Sequence, residues 1–174
     1  MDLRYPIGDY ESKPVLTSAE REEALGHIAA TPKWLRAAVA GLSPQQLDTP
    51  YRPGGWTVRQ VAHHVPDSHM NAYIRAKLAV TEDEPTIKPY DEKSWSELAD
   101  VRDASVEVSL GLLEALHSRW IVFLRSLRPG DFARRLRHPE RGTMTLDDLV
   151  ALYAWHGRHH VAHITSLRAR EGWK

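Results

Sequence analysis

The chain has 174 residues, the length of one ordinary domain, with 23 basic against 23 acidic side chains and no cysteine. Balanced charge argues against nucleic acid or a membrane surface as partner, and no apolar run approaches the roughly 18 residues of a membrane span. The missing cysteine removes disulfides, thiolate ligands and a cysteine nucleophile together, so metal or covalent chemistry falls to histidine, carboxylate or hydroxyl groups.

Residues 1–16, with Pro6, Gly8 and Pro14 among scattered apolar positions, read as an extended arm. They lack the charged and apolar regions of a leader, which makes the cytoplasm the expected compartment. Thr17-Ser18-Ala19-Glu20 is a capping box, and Leu25, Ile28, Leu35, Val39 and Leu42 carry a helical stripe to about Gly41, with a kink expected at Pro32. Ser43-Pro44 starts a short turn that ends before Asp48-Thr49-Pro50, and loop follows through Gly54-Gly55. A second capping box, Thr57-Val58-Arg59-Gln60, opens a helix to about Val80. It carries His63 and His64 and then a polar seam of Asp67, Ser68 and Asn71, with a second kink expected at Pro66.

Thr81 to about Asp103, holding Pro85 and Pro89, reads as a long connection with one helical turn around Trp95, of a length that suits a crossover between non-adjacent helices. A third helix spans about Ser105 to Leu127 and stops at Arg128-Pro129-Gly130. Residues 131–144 suggest a short irregular hairpin whose basic cluster, Arg134 to Arg141, reads as a solvated face. The fourth helix begins at Thr145-Leu146-Asp147-Asp148, a capping variant with two carboxylates at the positive end of the dipole, and runs to about Arg170 before Gly172. Four helical patterns without sustained strand alternation predict an all-α four-helix bundle, one domain over 1–174.

The stretch Trp155 to Ile164 holds four of the ten histidines. At 100° per residue His156, His160 and His163 fall within about 60° of arc, near the line of Leu149, Leu152 and Leu167. An apolar stripe that turns to imidazole in mid-course needs partners, since each buried unsatisfied polar group costs roughly 1–3 kcal/mol. A divalent metal bound at i and i+4 by His156 and His160 provides one, and the polar seam favours His64 over His63 as the third ligand. His159 and His163, again i and i+4, form an alternative set. They are read instead, with Asp67, as groups around the metal that orient ligands or move a proton. His27, His69, His117 and His138 stand alone and read as ordinary surface or hydrogen-bonded histidines. Trp34 and Trp120 fit core stripes, while Trp56 and Trp155 adjoin the histidines as pocket walls.

Across Tyr5-Pro6-Ile7-Gly8, Leu47 to Arg52, Gly54 to Gln60, His63-His64, Asp67 to Asn71, Pro89 to Lys93 and Trp155-His156, the chain resembles the DinB-like superfamily, and within it the YfiT-type proteins, nearly end to end. The resemblance implies a four-helix bundle with one divalent metal per subunit, zinc first and nickel second, on His64, His156 and His160, in a cytoplasmic homodimer. It implies an enzyme acting on a small molecule. The leading expectation is an S-transferase joining bacillithiol or a similar low-molecular-weight thiol to an electrophile, and the alternative is hydrolysis by metal-activated water. A non-catalytic bundle is the third reading, and four protein ligands closing the ion would mark it.

Overall fold

Side-chain caps decide where the helices start. The Glu20 amide donates to Thr17 Oγ1 at 3.2 Å while the Thr17 amide donates to the Glu20 carboxylate at 2.9 Å, and α1 (Ser18–Val39) follows. Reciprocal boxes of Ser43 with Gln46 and Thr57 with Gln60 open α2 (Pro44–Leu47) and α3 (Val58–Thr81). The computed structural model describes residues 2–173. Within them α4 (Glu92–Trp95), α5 (Ala99–Asp103) and α6 (Val106–Arg125) lead to a 3-10 turn at Pro129–Ala133. Strands β1 (Arg135–His138) and β2 (Gly142–Thr145) then pair antiparallel, with Leu136 opposite Met144. Last comes α7 (Leu146–Glu171), capped by Thr145 and closed by Gly172 in the left-handed region at φ 66°. Neither proline breaks its helix: α1 runs through Pro32 and α3 through Pro66.

The four long helices bury two apolar clusters with a polar layer between them. One cluster takes Leu25 and Ile28 of α1, Ala72 to Ala79 of α3, Trp120 and Leu124 of α6, and Leu146 to Ala154 of α7. The other takes Leu35 to Val39, Val58 to Val65, Val106 to Leu113, and Ile164 with Leu167 from the same helices. Between them lie Thr31, Ser68, His69, His117 and His160, all buried. Each fully buried leucine contributes about 1.5–3 kcal/mol, so the two clusters supply the stability that lets the layer between them be polar.

The order in which each helix meets the clusters gives the topology. α1 and α7 run one way and α3 and α6 the other. α1 packs on α6 and α7, and α3 on the same two, so α1 lies diagonal to α3. The long connection is the expected crossover, but the helices it joins are adjacent and not, as expected, non-adjacent. It joins the parallel neighbours α3 and α6 and must return the length of the bundle, which is why residues 82–105 need two short helices of their own.

Close approach of α1 and α7 depends on Gly157, where a Cβ would lie 2.5 Å from Thr31 Oγ1. The N-terminal arm is pinned by the two carboxylates that begin α7. Asp148 accepts from Tyr10 Oη at 2.6 Å and from the Lys13 amide at 2.8 Å, while Asp147 accepts from the Leu16 amide at 3.0 Å and pairs with Arg21 at 2.7 Å. These residues therefore do more than offset the helix dipole. The basic cluster is also largely engaged: Arg134 donates to the carbonyls of Ala79 and Glu82 at the end of α3, and Arg135 and Arg137 pair with Glu84. Trp120 is fully buried as expected, whereas Trp34 is only half-buried, beside His27.

Candidate metal centre

The antiparallel contact of α3 with α7 brings His64 against His156 and His160. Nε2 of His64 is 3.3 Å from Nε2 of His156, and one ring nitrogen from each of the three lies within 4.8 Å of the others. Tetrahedral ligands at the usual zinc–nitrogen length of about 2.0–2.1 Å stand about 3.3 Å apart, so the spacing suits one ion. His159, His160 and His163 form a second group within the same limit.

Hydrogen bonding separates the two groups. Pro32 has no N–H, which frees the Ile28 carbonyl of α1 from its helical donor, and His117 Nδ1 meets that carbonyl at 2.6 Å. A carbonyl only accepts, so His117 carries its proton on Nδ1 and, when neutral, a lone pair on Nε2. His69 Nδ1 lies 2.8 Å from that lone pair and donates to it, and His156 Nδ1 in turn donates to His69 Nε2 at 3.1 Å. The chain of rings thus leaves His156 with a lone pair on Nε2, facing His64. A second chain works on His160. The Arg4 carbonyl accepts from His163 Nε2 at 3.0 Å, which turns the His163 Nδ1 lone pair toward His160 Nδ1 at 3.4 Å and leaves His160 Nε2 as a free acceptor. His163 has both nitrogens engaged, and the first group keeps its lone pairs open.

Burial holds these rings neutral. It lowers His64 and His117 to about 4 and His159 to about 3, and holds His69, His156 and His160 well below the ordinary histidine value. Neutral imidazole is the form that binds metal. Beside the rings opens a cavity of about 350 Å³, walled by Trp56, Trp155 and Tyr90 and reached by His159 and the arm's Tyr5. Trp155 stacks on His159 at 4.2 Å and donates from Nε1 to the Gly8 carbonyl, so the arm helps fix this wall.

Of the residues singled out in the sequence, His64, His156, His159, His160 and His163 converge here, and Trp56 and Trp155 do wall the cavity. Asp67 does not line it. Its half-buried carboxyl feels burial and the nearby Asp100 charge, which raise it to about 6, and among the described residues its carboxylate makes no hydrogen bond to the cluster. His63 instead bonds Ser109 Oγ at 2.7 Å. His69 and His117 are hydrogen-bonded as expected but do not stand alone, and Ser68 Oγ, 3.5 Å from His156 Nε2, was also unassigned. Ser68 follows His64 by one helical turn, the spacing that placed it in the polar seam.

A family model described as the DinB superfamily matches residues 25–164. A relative from Oceanobacillus iheyensis, provisionally named a metal-dependent hydrolase, is 51% identical over 173 residues, covering 99% of this chain and 100% of its own. One from Bacillus mycoides with the same provisional name is 54% identical over 172 residues, 99% of each chain. Among solved structures, YfiT from Bacillus subtilis, provisionally described as a metal-dependent hydrolase of unusual four-helix-bundle topology, superposes with a TM-score of 0.97 over 100% of both chains at 47% identity. TT2238, described as a four-helix bundle protein, has a TM-score of 0.60 and 23% identity, covering 86% of this chain and 98% of its own, a likeness of fold.

Proposed function

This chain belongs to the DinB superfamily, and we propose that in it His64, His156 and His160 hold one divalent ion, zinc or nickel, at the centre of a thiol S-transferase. The observation that carries the metal reading is the pair of hydrogen-bond chains that leave neutral His156 and His160 with Nε2 lone pairs beside His64. When bound, the ion supplies Lewis acidity, lowering the pKa of a coordinating thiol or water so that it attacks as an anion near neutral pH. Three neutral ligands leave the ion's charge uncompensated, a condition that favours an anionic sulfur. The chain has no cysteine, so the thiol is a second substrate of low molecular weight such as bacillithiol. Its sulfur forms the new bond to an electrophilic carbon, the leaving group departs, and the thiol proton passes to solvent.

Around that reaction, His69 and His163 hold the two ligand rings in register, and Trp56 and Trp155 wall the cavity. To His159, which lines the cavity as a neutral ring, we assign a hydrogen bond that orients the nucleophile. Hydrolysis by activated water at the same centre is the second reading, supported by the provisional names of the relatives.

Elemental analysis run beside turnover of monobromobimane, with and without bacillithiol, tests both. One ion per chain with thiol-dependent product, and loss of both in His64→Ala, is the expected result. Metal present with turnover of an ester substrate indifferent to thiol establishes hydrolysis instead, and no metal after reconstitution with zinc or nickel overturns the site.

A further inference from the structure

The cavity beside the three histidines continues along α3 to Arg75, which is only 7% exposed and lines it. His64, Ser68 and Arg75 stand at i, i+4 and i+11 on one face of α3, so Arg75 lies about 16 Å from His64 along the helix axis. Among the described residues, the Arg75 guanidinium makes one hydrogen bond, from Nη2 to the Lys88 carbonyl at 3.2 Å, and has no carboxylate within 4.0 Å. Arginine keeps its charge at any pH at which the protein is folded, and a buried charge is ordinarily paired. Two carboxylates, Glu92 and Glu140, share the cavity with Arg75, but both are exposed, as is Arg141 beside them. The Arg75 end of the cavity therefore presents a planar cation with donors unspent, and the other end presents the three imidazoles.

We propose that Arg75 binds an anionic group of the substrate, a carboxylate or a phosphate, and so selects elongated small molecules whose reacting end lies at the histidines. This rests on the metal reading above for where the reaction occurs, though not for the anion site itself. A guanidinium fork suits either anion because both present two oxygens at matching spacing. The apolar side chains between the two ends, Leu149 and Leu152 of α7 among them, give the connecting part of the substrate an apolar path.

Calorimetric titration of the full-length, zinc-loaded protein tests this with four probes: glutarate, its neutral counterpart glutaramide, inorganic phosphate and monomethyl phosphate. Saturable binding of glutarate or of the two phosphates, with glutaramide bound at least about thirtyfold more weakly, is expected, and whichever anion binds more tightly names the group. Arg75→Gln should weaken anion binding by a similar factor while leaving metal content unchanged, and Arg75→Lys should restore only part of it because the fork is lost. His64→Ala separates the two readings. Anion binding retained in that variant supports the Arg75 site whether or not the metal reading holds, whereas anion binding lost with the metal shows that the anion sits on the ion and overturns the proposal. Equal binding of glutarate and glutaramide by the unaltered protein, with no saturable binding of either phosphate, overturns it without recourse to any variant.

Discussion

His117 donates from Nδ1 to the Ile28 carbonyl at 2.6 Å, a carbonyl that Pro32 has released from the backbone ladder of α1. A proline in one helix and a histidine in another thus set the tautomer of a third ring, His156, through His69. His117→Phe keeps a ring of similar shape and removes both of its hydrogen bonds. Loss of such outer partners typically costs about 10–100-fold in metal affinity. Competition with a chelator should show that loss while circular dichroism shows the helices intact, and unchanged affinity would mean that the chain of rings does not orient the ligand.

Gly157 makes a different kind of demand. Its alanine variant would place Cβ 2.5 Å from Oγ1 and 2.7 Å from Cγ2 of Thr31, a side chain with no exposed surface. Overpacking of this sort costs about 1–3 kcal/mol. Urea unfolding should show that loss for Gly157→Ala and recovery of most of it when Thr31→Ala is added, since the two nearest atoms are then gone. A double variant as unstable as the single one would place the strain elsewhere.

Acid should unfold the metal-free protein in a defined window. His117 has an ordinary value of 6.5 when exposed and about 4 when folded, so between those values the unfolded chain binds the proton and the folded chain does not. Stability is therefore fully present above pH 6.5 and is lost as pH falls through 4, by roughly 3 kcal/mol for this one group. His64 and His159 act in the same direction. Asp67, raised to about 6, acts in the opposite one, gaining a proton on folding between its ordinary value and 6, but it is a single group against several. Urea midpoints should fall from pH 7 to pH 5, and midpoints that held level would mean that the rings are already protonated in the folded state.

Asp147 is buried, and its bidentate contact with Arg21, at 2.7 and 2.9 Å, ties the start of α7 to α1. Asp147→Ala leaves the largely buried guanidinium without its partner and the Leu16 amide without an acceptor. Breaking a buried pair in this way costs about 3–5 kcal/mol. Calorimetric melting should show the loss, and limited proteolysis should cut first within residues 9–16. A variant that melts with the unaltered protein would show that the arm is held without this carboxylate.

Much of this molecule was legible from local patterns. The capping boxes at Thr17 and Thr57 and the Ser43-Pro44 start set helix starts because each signal lies within four residues. The convergence of His156 and His160 follows from helical spacing, and the polar seam after it singled out His64. His69 and His117 carry no such signal, since they meet only when α3 packs on α6, and the value of Pro32 appears only once His117 arrives at its freed carbonyl. Asp147 and Asp148 were read as offsets to a dipole because their partners lie more than a hundred residues earlier. The length of the connection foretold a crossover but not which helices it joins, because adjacency is decided only when α3 packs on α6.

The Arg4 carbonyl that fixes His163 comes from the opposite end of the chain, 159 residues away, and His64 meets His156 across 92. During synthesis, then, the growing chain carries the histidine of α3 long before it carries the last helix, and no early segment owns two of the three facing rings. Loop closure over such distances grows only logarithmically in cost, so the late encounter is slow without being prohibitive. At the proposed site, metal capture would thereby wait for the finished bundle, since a nascent chain would offer an ion nothing better than an isolated imidazole pair.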